Sequence, residues 1–461
     1  MTMITCVSPV NGEVYAERPA LSLDAAKEVV ARARKAQKDW ARRPLEDRVQ
    51  LVLKGAARLN EMADVVVPEL AWQMGRPIKY GGEYRGFNER SNYVASIAAD
   101  ALAPLVVEDS ANFARRIERE PHGVVFVIAP WNYPYMTAIN TIAPALMAGN
   151  TVVLKHASQT LLVGERLVQA FVEVGVPADV FQNVFLDHET TSALIAAGSF
   201  NFVNFTGSVE GGRSIERAAA GTFTGLGLEL GGKDPGYVME DADLDAAVDT
   251  LMDGATFNSG QCCCGIERIY AHESVYEEFV ERAVALTNSY RLGDPTRQDT
   301  NLGPVVSAKA ASFIRGQVDE AVSQGARALI AAEHFAADQA GTPYLAPQIL
   351  VDVDHSMRFM TEETFGPAVG IMKVKNDGQA IQLMNDSEYG LTAAIFSRDL
   401  AAAERIGDQV ETGTVFLNRC DALDPALPWV GVKDTGRGHT LSRWGFETLT
   451  RPKSYHLRLA K

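Results

Sequence analysis

The chain lacks the features that mark membrane-inserted, secreted and repetitive proteins. None of its 461 residues falls in a run that reaches the roughly 18 consecutive apolar residues typical of a transmembrane helix. The first ten residues carry neither a basic run nor a long apolar segment, so we expect no secretory signal and a cytoplasmic location. The sequence also shows no internal repeat and no low-complexity linker. These absences favour a globular protein that does not associate with membranes, and the length predicts two or three domains.

Cysteine is scarce, and its distribution argues against a disulfide framework. The five cysteines are Cys6, Cys262, Cys263, Cys264 and Cys420. Three adjacent residues cannot readily bridge one another, and an odd total fits poorly with paired disulfides. Spaced ligands such as C-x₂-C are missing, so we expect no metal site. The triple run therefore predicts reduced thiols, one of which is a candidate nucleophile.

Basic residues are also in deficit. Lysine and arginine total 43 against 58 acidic residues, which gives a formal charge of −15. Because an acidic protein is repelled by a polyphosphate backbone, we do not expect nucleic acid as a partner.

What the sequence does contain is an alternation of short apolar runs with amphipathic helices. The first hundred residues have helical periodicity, with Asp24 as the expected N-cap of a helix that buries Val29, Ala33, Ala36 and Trp40. From about residue 122 onwards, buried strands are predicted over 124–129, 151–155, 181–186, 201–205, 346–351, 368–374 and 414–418. Helices are predicted over 160–174, 243–257, 275–290 and 307–324. This alternation predicts an α/β fold with a parallel sheet covered by helices on both faces.

Two charged segments, 112–120 and 454–459, alternate in the manner of exposed strands. Edge strands of this kind commonly pair between subunits, although two solvated surface strands fit the pattern almost as well.

Residues 257–264, Phe-Asn-Ser-Gly-Gln-Cys-Cys-Cys, form the motif that most strongly indicates chemistry. A lone cysteine is usually a small buried hydrophobe, but a triple run after a Gly-Gln turn is harder to explain by packing. With an ordinary pKa near 8.5, only a few per cent of a thiol is thiolate at pH 7. A nucleophile here therefore needs a base or a positive dipole nearby.

Three further motifs place polar groups or glycines where strands are expected to end. Residues 229–233, Glu-Leu-Gly-Gly-Lys, set a carboxylate beside two glycines that allow close approach of a ligand, although a plain turn is the alternative. Residues 130–134, Pro-Trp-Asn-Tyr-Pro, follow a predicted strand, and Asn132 there either stabilises an oxyanion or holds the turn. Residues 205–212 form a Gly-rich turn suited to phosphate, without the full G-x-G-x-x-G pattern.

Together these four motifs resemble the aldehyde dehydrogenase superfamily. The similarity continues, in family order, through residues 362–367, 385–391, 413–418 and 428–433. The resemblance implies NAD(P)⁺-dependent oxidation of an aldehyde to the carboxylic acid through a cysteine-bound thioester. It also implies the aldehyde dehydrogenase fold, with a Rossmann-like NAD(P)-binding domain over 1–110 and 122–229, an α/β catalytic domain over 230–440, and a small oligomerisation ribbon from 111–121 and 448–461. A homodimer or homotetramer is the assembly that such a ribbon implies.

The resemblance further implies the roles of individual residues. Cys263 is the expected nucleophile, Asn132 the oxyanion donor and Glu229 the general base, while Cys262 and Cys264 shape the site or form reversible disulfides. The cofactor is expected to contact Trp131, Lys155, Ser158, Gly207, Ser208, Glu363 and Phe365. The aldehyde tunnel is expected to be lined by Tyr133, Met136, Leu423 and Trp429.

Two departures from the family pattern bear on the chemistry. Ser158 stands where a glutamate often binds the ribose hydroxyls, and the loss of that charge predicts that NADP⁺ is accepted. Thr141 and Thr440 stand where many hydrolytic members have a lysine and a glutamate. If that pair relays protons, hydroxyl groups or water must replace it here, and thioester hydrolysis could be slow.

The substrate remains open between three classes. The apolar and aromatic tunnel suits an aliphatic or aromatic aldehyde, the nearby Asp421 and Asp424 suit an aminoaldehyde, and Arg419 suits a carboxylate-bearing semialdehyde. Two alternatives to hydrolytic oxidation are a CoA-acylating dehydrogenase, which would not need Glu229, and a non-catalytic binding protein on the same fold.

Overall fold

The computed structural model of the protein describes residues 2–459. Its strands are, in chain order, β1 Met3–Val7, β2 Val14–Pro19, β3 Leu105–Asp109, β4 Phe113–Pro121, β5 Val124–Ala129, β6 Thr151–His156, β7 Phe181–Asn183, β8 Phe202–Thr206, β9 Gly225–Glu229, β10 Asp234–Val238, β11 Ile266–His272, β12 Arg327–Ala328, β13 Gln348–Val351, β14 Ala368–Val374, β15 Tyr389–Gly390, β16 Thr392–Phe396, β17 Thr414–Leu417, β18 Val432–Lys433, β19 Gly436–Arg437 and β20 Thr450–Arg458. Its α-helices are α1 Leu23–Arg42, α2 Leu45–Asn60, α3 Ala63–Met74, α4 Tyr84–Ala101, α5 Pro134–Met147, α6 Leu161–Glu173, α7 His188–Ala196, α8 Val209–Ala219, α9 Leu244–Thr256, α10 Tyr276–Asn288, α11 Ala308–Ser323, α12 Arg358–Thr361, α13 Asp377–Asn385, α14 Leu400–Gly407 and α15 Ser442–Thr448.

A six-stranded sheet, in the order β19-β9-β8-β5-β6-β7, forms the centre of the first half of the chain. Its central strand β5 is buried along its whole length and pairs in parallel with β6 and β8. Helices cover both faces, so β5 needs apolar side chains on both sides, which explains its unbroken Val-Val-Phe-Val-Ile-Ala sequence. The carboxyl ends of β5, β8 and β9 carry the predicted motifs 130–134, 205–212 and 229–233 to one edge of the sheet.

A seven-stranded sheet, in the order β12-β13-β14-β11-β10-β16-β17, forms the second α/β unit. All its pairings are parallel except that of the edge strand β12 with β13. The triple-cysteine segment lies between α9 and β11 and therefore at an end of a central strand of this sheet.

The two segments predicted as exposed strands pair with each other inside one chain. They form β4 and β20, which run antiparallel, with Ser454 opposite Ile117. A third strand, β3, adds to β4, so the ribbon takes in Leu105–Asp109, which the predicted domain boundary had assigned to the cofactor unit. The short strand β19 lies within the segment 230–440 that was predicted as catalytic, but it pairs with β9 in the six-stranded sheet.

Some local predictions were wrong for identifiable reasons. The first 19 residues form the hairpin β1–β2 and not a helix. Helix α1 is capped by Ser22, whose hydroxyl accepts a hydrogen bond from the Ala25 amide at 3.3 Å, while Asp24 lies within the first turn. The strand predicted over 181–186 ends at Asn183.

None of the helices within residues 2–459 is both long enough and apolar enough to cross a bilayer.

Candidate active site

A left-handed turn positions the three cysteines at the start of β11. Asn258, Ser259 and Gly260 have φ angles of 53°, 56° and 70°. At Gly260 a Cβ atom would lie 2.2 Å from the carbonyl oxygen of Gly366, so only glycine fits both the φ angle and the space. Two consecutive non-glycine residues in this region cost free energy, which must be offset by the surrounding contacts.

Hydrogen bonds from the buried side chains of the turn supply those contacts. The Asn258 amide donates to the carbonyls of Asn132 at 3.1 Å and Gln261 at 3.2 Å. The Ser259 hydroxyl donates to the Gly303 carbonyl at 2.8 Å. The Gln261 side chain accepts from the Val306 amide at 2.7 Å. The polar residues of this motif therefore fix the backbone that presents the thiols.

The three thiols form a compact cluster, and their sulfur atoms all lie within 4.8 Å of one another. The Sγ atoms of Cys262 and Cys264 are 3.5 Å apart, and both residues are buried, whereas Cys263 is half-buried. Hydrogen bonds from its two neighbours lower the pKa of Cys262, and the contact with Cys262 raises the pKa of both Cys263 and Cys264. Cys263 is the most accessible thiol of the cluster.

A cavity of about 200 Å³ adjoins the thiols. The predicted base and the predicted tunnel residues all line it, together with the cysteines: Glu229, Tyr133, Met136, Leu423, Trp429, Cys262, Cys263 and Cys264. Its volume is below the roughly 300 to 1,000 Å³ of pockets for drug-sized ligands, so it suits a small molecule.

Glu229 ends β9, directly opposite Thr206 at the end of β8. Its carboxylate accepts hydrogen bonds from the hydroxyls of Thr440 and, at 2.8 Å, Thr206. Burial raises the pKa of Glu229, and these two hydrogen bonds oppose that shift. A carboxylate with a raised pKa is closer to the range in which a general base works near neutral pH.

Asn132 is buried at the end of β5, and its amide donates to the Gln261 carbonyl at 3.2 Å. The backbone carbonyl of Asn132 accepts a hydrogen bond from the guanidinium of Arg76, which is buried in an ion pair with Glu83. The Glu83 carboxylate in turn accepts from the amides of Tyr135 at 3.0 Å and Met136 at 2.7 Å. Arg76 and Glu83 therefore hold the first turn of α5 against the cysteine turn.

Asn132 lines a second, wider groove of about 760 Å³, which shares Thr206 with the cavity. All seven predicted cofactor residues line it: Trp131, Lys155, Ser158, Gly207, Ser208, Glu363 and Phe365. Ser208 caps α8 by accepting from the Gly211 amide at 3.2 Å, so the N-terminus of that helix opens onto the groove. Such a terminus attracts phosphate through its free N–H groups and the helix dipole.

The loop that carries Glu363 and Phe365 is held by a buried ion pair. Lys233 and Glu267 are 2.7 Å apart, and Glu267 also accepts from the amides of Thr364 and Phe365, each at 2.8 Å. Glu363 accepts from the Gly232 amide at 3.0 Å, and burial raises its pKa to about 8.

A comparison with families of known proteins identifies the chain. The model of the aldehyde dehydrogenase family matches residues 1–455. The chain belongs to this family. It is 32% identical over 97% of its length to a succinate-semialdehyde dehydrogenase [NADP(+)] of Deinococcus radiodurans, 93% of which is covered. It is also 32% identical over 96% of its length to a chloroplastic betaine aldehyde dehydrogenase of Beta vulgaris, 91% of which is covered.

The solved structures of aldehyde dehydrogenases agree with the fold. The NADP-dependent glyceraldehyde-3-phosphate dehydrogenase of Bacillus halodurans, complexed with NADP, matches with a TM-score of 0.93 and 33% identity, covering 100% of this chain and 96% of that one. The predicted family, the α/β aldehyde dehydrogenase fold and the reaction class are confirmed. The protein is an oxidoreductase that converts an aldehyde to the carboxylic acid with NAD(P)⁺.

Arg419 and Asp424, two residues considered from the sequence, line neither space of this aldehyde dehydrogenase. Both are exposed, and Asp424 accepts from the Ala426 amide at 2.8 Å. His156 does line the groove, where it is buried and hydrogen-bonded to Pro134 and Thr160. Thr141 is buried in α5, whereas Thr440 reaches Glu229.

Other residues of the site gave no signal in the sequence. Arg76 lies between a glycine and a proline just after α3, and Glu83 and Arg90 resemble ordinary charged residues at or near a helix surface. Arg90 lines the cavity beside the cysteines. No local pattern predicts these positions, because their partners lie far away in the chain.

Proposed function

We propose that this aldehyde dehydrogenase works by covalent catalysis, with Cys263 as nucleophile, Asn132 as oxyanion donor and Glu229 as general base. The observation that carries the proposal is that Cys263 and Glu229 line one small cavity, while Asn132 lines the wider groove. Thr206 lines both spaces, and Tyr133, which follows Asn132 in the chain, lines the cavity. A nucleophile, a base and a hydrogen-bond donor thus lie in two adjoining spaces.

The steps follow from these positions. The Cys263 thiolate adds to the aldehyde carbon, and the carbonyl oxygen becomes an oxyanion that accepts a hydrogen bond from the Asn132 amide. Such a donor typically contributes about 3 kcal/mol to transition-state stabilisation. As the carbonyl re-forms, the carbon loses its hydrogen with the bonding electron pair, which leaves a thioester on Cys263. Glu229 then takes a proton from water, whose oxygen attacks the thioester carbon and releases the acid and the Cys263 thiol.

The wider groove fits NAD(P)⁺, which when bound supplies the hydride acceptor. Its volume of about 760 Å³ falls in the range of cofactor sites. Gly231 leaves room for the Glu363 carboxylate, since a Cβ atom there would lie 2.5 Å from it. We assign the phosphates to Gly207, Ser208 and the start of α8, the adenosine ribose to Lys155 and Ser158, and the nicotinamide side to Trp131, Glu363 and Phe365.

We propose that this enzyme accepts NADP⁺ in addition to NAD⁺. Ser158 places an uncharged side chain beside Lys155 in the groove, so a 2′-phosphate meets no carboxylate from this position. Two of the related enzymes named above are described as NADP-dependent. A catalytic efficiency with NADP⁺ one hundredfold below that with NAD⁺ would contradict this part of the proposal.

The residues of the cavity favour hydrolysis of the thioester over transfer of its acyl group to CoA. Glu229 retains a raised pKa, and two threonine hydroxyls orient its carboxylate. Thr440 occupies the place of an acidic residue in many family members and here serves as a hydrogen-bond donor. The hydroxyl group that stands in place of the acidic residue therefore contacts the Glu229 carboxylate directly.

We also propose a homodimer or homotetramer built on the ribbon β3–β4–β20. The outer strand β3 exposes the side chains of Leu105, Val106 and Val107. An apolar edge strand of this kind is usually covered by another chain.

The test is a kinetic panel of neutral, amino- and carboxy-aldehydes with NAD⁺ and NADP⁺, in the presence and absence of CoA. The proposal predicts free carboxylic acid as product and a rate that does not depend on CoA. A CoA thioester as the main product would show that the chain is an acylating dehydrogenase instead.

A further inference from the structure

The cavity beside Cys263 contains a buried cation that the catalytic steps do not use. Arg90 lies on α4 and is only 7% exposed, yet its guanidinium lines this cavity together with Cys263 and Met136. Buried arginines are normally paired, because an uncompensated charge in a low-dielectric site is costly. Arg76, which lies before α4 in the chain, shows the usual arrangement in its ion pair with Glu83.

Arg90 is poorly satisfied by the protein. Its Nη1 atom lies 3.2 Å from the thioether sulfur of Met136, which is a weak acceptor, and its Nε has no hydrogen-bond partner among residues 2–459. Burial lowers the pKa of Arg90, but a guanidinium remains charged at neutral pH.

The carboxylates in the surroundings of Arg90 are engaged elsewhere. Glu83 binds Arg76 and the first amides of α5, and Glu89 pairs with Arg85 on the surface. Glu229 accepts from two threonine hydroxyls. The guanidinium therefore retains unused donors on the side of the cavity.

A second unsatisfied polar group lines the same cavity. Asn140, on α5, is 3% exposed, and its Oδ1 has no hydrogen-bond partner within residues 2–459. Since an amide can present either its oxygen or its NH₂ group, Asn140 can offer a donor to a ligand that Arg90 also binds.

The packing preserves space for the guanidinium. Gly86 lies one turn before Arg90, and a Cβ atom at Gly86 would be 2.5 Å from Arg90 Nη1 and 2.2 Å from Met136 Sδ. The absence of a side chain at Gly86 therefore permits the position that Arg90 occupies.

We propose that Arg90, assisted by Asn140, binds the carboxylate of a short ω-carboxy aldehyde, so that the enzyme oxidises semialdehydes of dicarboxylic acids. The inference rests on the proposed function of the cavity and adds its substrate class. One guanidinium matches the single charge and the planar, bidentate geometry of a carboxylate. A phosphate dianion would leave charge uncompensated beside a single cation.

The same cavity offers little to a cationic substrate. The ring of Tyr133 already stacks on the Arg76 guanidinium, 4.8 Å from its centroid, so this ring is not free to form an aromatic cage. Asp421 lines the cavity, but burial raises its pKa to about 8, and its carboxyl group is largely neutral at pH 7. An ammonium group would instead meet the uncompensated charge of Arg90.

The test compares the matched four-carbon substrates 4-oxobutanoate and butanal in the wild-type enzyme and in Arg90→Met. Because charge-assisted hydrogen bonds of this type are lost in Arg90→Met, kcat/KM for 4-oxobutanoate should fall about 10- to 100-fold, mainly through a higher KM. Butanal should change by less than about threefold. Arg90→Lys should recover part of the loss, because it restores the charge without the fork. Asn140→Leu should show a smaller loss with the same substrate dependence.

Arg85→Met, on the exposed face of the same helix, is the matched control and should leave both substrates unchanged. Binding of succinate, measured by calorimetry without turnover, should be lost in Arg90→Met and retained in Arg85→Met. Thermal unfolding of each variant shows that the fold is intact.

Equal losses with both substrates, or a wild-type enzyme that prefers butanal, would overturn the inference while leaving the proposed catalysis in place. A preference of at least tenfold for glyceraldehyde 3-phosphate over 4-oxobutanoate would also overturn it. Failure of the catalytic proposal would be recognised separately, as full turnover of every aldehyde by Cys263→Ala.

Discussion

The groove and the cavity, which share the lining residue Thr206, differ in how they recognise a molecule. The wider groove offers a helix N-terminus, glycines and one lysine, and many of its lining residues lie at the ends of β5, β6 and β8. The small cavity is lined by residues from segments that lie far apart in the chain, with charged groups in an apolar lining. A helix N-terminus and glycines suit a cofactor shared by many enzymes, whereas a few charges in a small cavity suit the selection of one substrate class.

The first prediction concerns the chemistry that both spaces serve. Replacing Cys263 with alanine should reduce kcat by at least about 10⁴-fold, since removal of a nucleophile disables the whole catalytic unit. Formation of reduced nicotinamide, followed by absorbance, measures the effect. Cofactor binding to the variant, followed by fluorescence, should persist, because Cys263 lines the cavity and not the groove.

Cys262→Ala and Cys264→Ala are the controls, and each should retain measurable turnover. Loss of all activity in Cys262→Ala, with activity retained in Cys263→Ala, would move the nucleophile to the neighbouring thiol. That outcome is worth testing because the cluster lowers the pKa of Cys262.

The second prediction concerns Ser158 in the cofactor groove. Ser158→Glu should lower kcat/KM for NADP⁺ by about tenfold or more and change that for NAD⁺ by less than about threefold. The new carboxylate repels a 2′-phosphate, and solvent at this exposed position keeps the effect below the roughly 4 kcal/mol of a close pair at an effective dielectric near 20.

 Under the proposed mechanism Glu229 sets the acid limb of the pH profile, so that limb should stay in place in Ser158→Glu. An equal loss with both cofactors would mean that Ser158 does not face the 2′ position.

The third prediction tests the hydrogen bonds of Glu229 directly. Burial raises the pKa of Glu229, and the Thr440 hydroxyl lowers it. Thr440→Val removes that donor, so the pKa should rise further, and the acid limb of the kcat profile should move to higher pH by about one unit, the equivalent of one ordinary hydrogen bond. The sign follows because a general base acts only when deprotonated, and its activity is lost as the pH falls through its pKa.

The profile of kcat against pH, recorded with a saturating aldehyde, measures this shift. Thr141→Val is the control, since Thr141 is buried in α5 and lines neither space, and it should leave the limb unmoved. A shift to lower pH in Thr440→Val would contradict the assigned role of its hydroxyl.

The motif residues that line the groove and the cavity were both named from the sequence, but the polar contacts of the cavity were not. The strand over 124–129 was predicted with its observed bounds, because a parallel strand buried on both faces needs an unbroken apolar run. The residues that line the groove follow such strands within a few positions, so local motifs contain them. The hairpin β1–β2 and strands β9 and β10 were not predicted, since their alternation is weak or interrupted by glycine and proline.

The cavity depends on contacts that no local pattern encodes. Cys263 and Glu229 belong to the family motifs, but the arginine that lines the cavity is Arg90, whereas Arg419, considered from the sequence for a carboxylate-bearing semialdehyde, is exposed. Arg90 lies on an amphipathic helix among other charged residues, and only the packing of α4 against α5 shows that it is buried. The same holds for Thr440, whose contact with Glu229 joins residues more than two hundred positions apart.

The most direct test of the account is to trap the acyl-enzyme in Glu229→Gln. With an aldehyde and NADP⁺, this variant should release about one equivalent of reduced cofactor per site in a rapid burst and then turn over at least about 100-fold more slowly than the wild type. Mass spectrometry of the digested protein should place the acyl group on Cys263. A variant that turns over at the wild-type rate, or an acyl group on Cys262 or Cys264, would contradict the assignment of base and nucleophile.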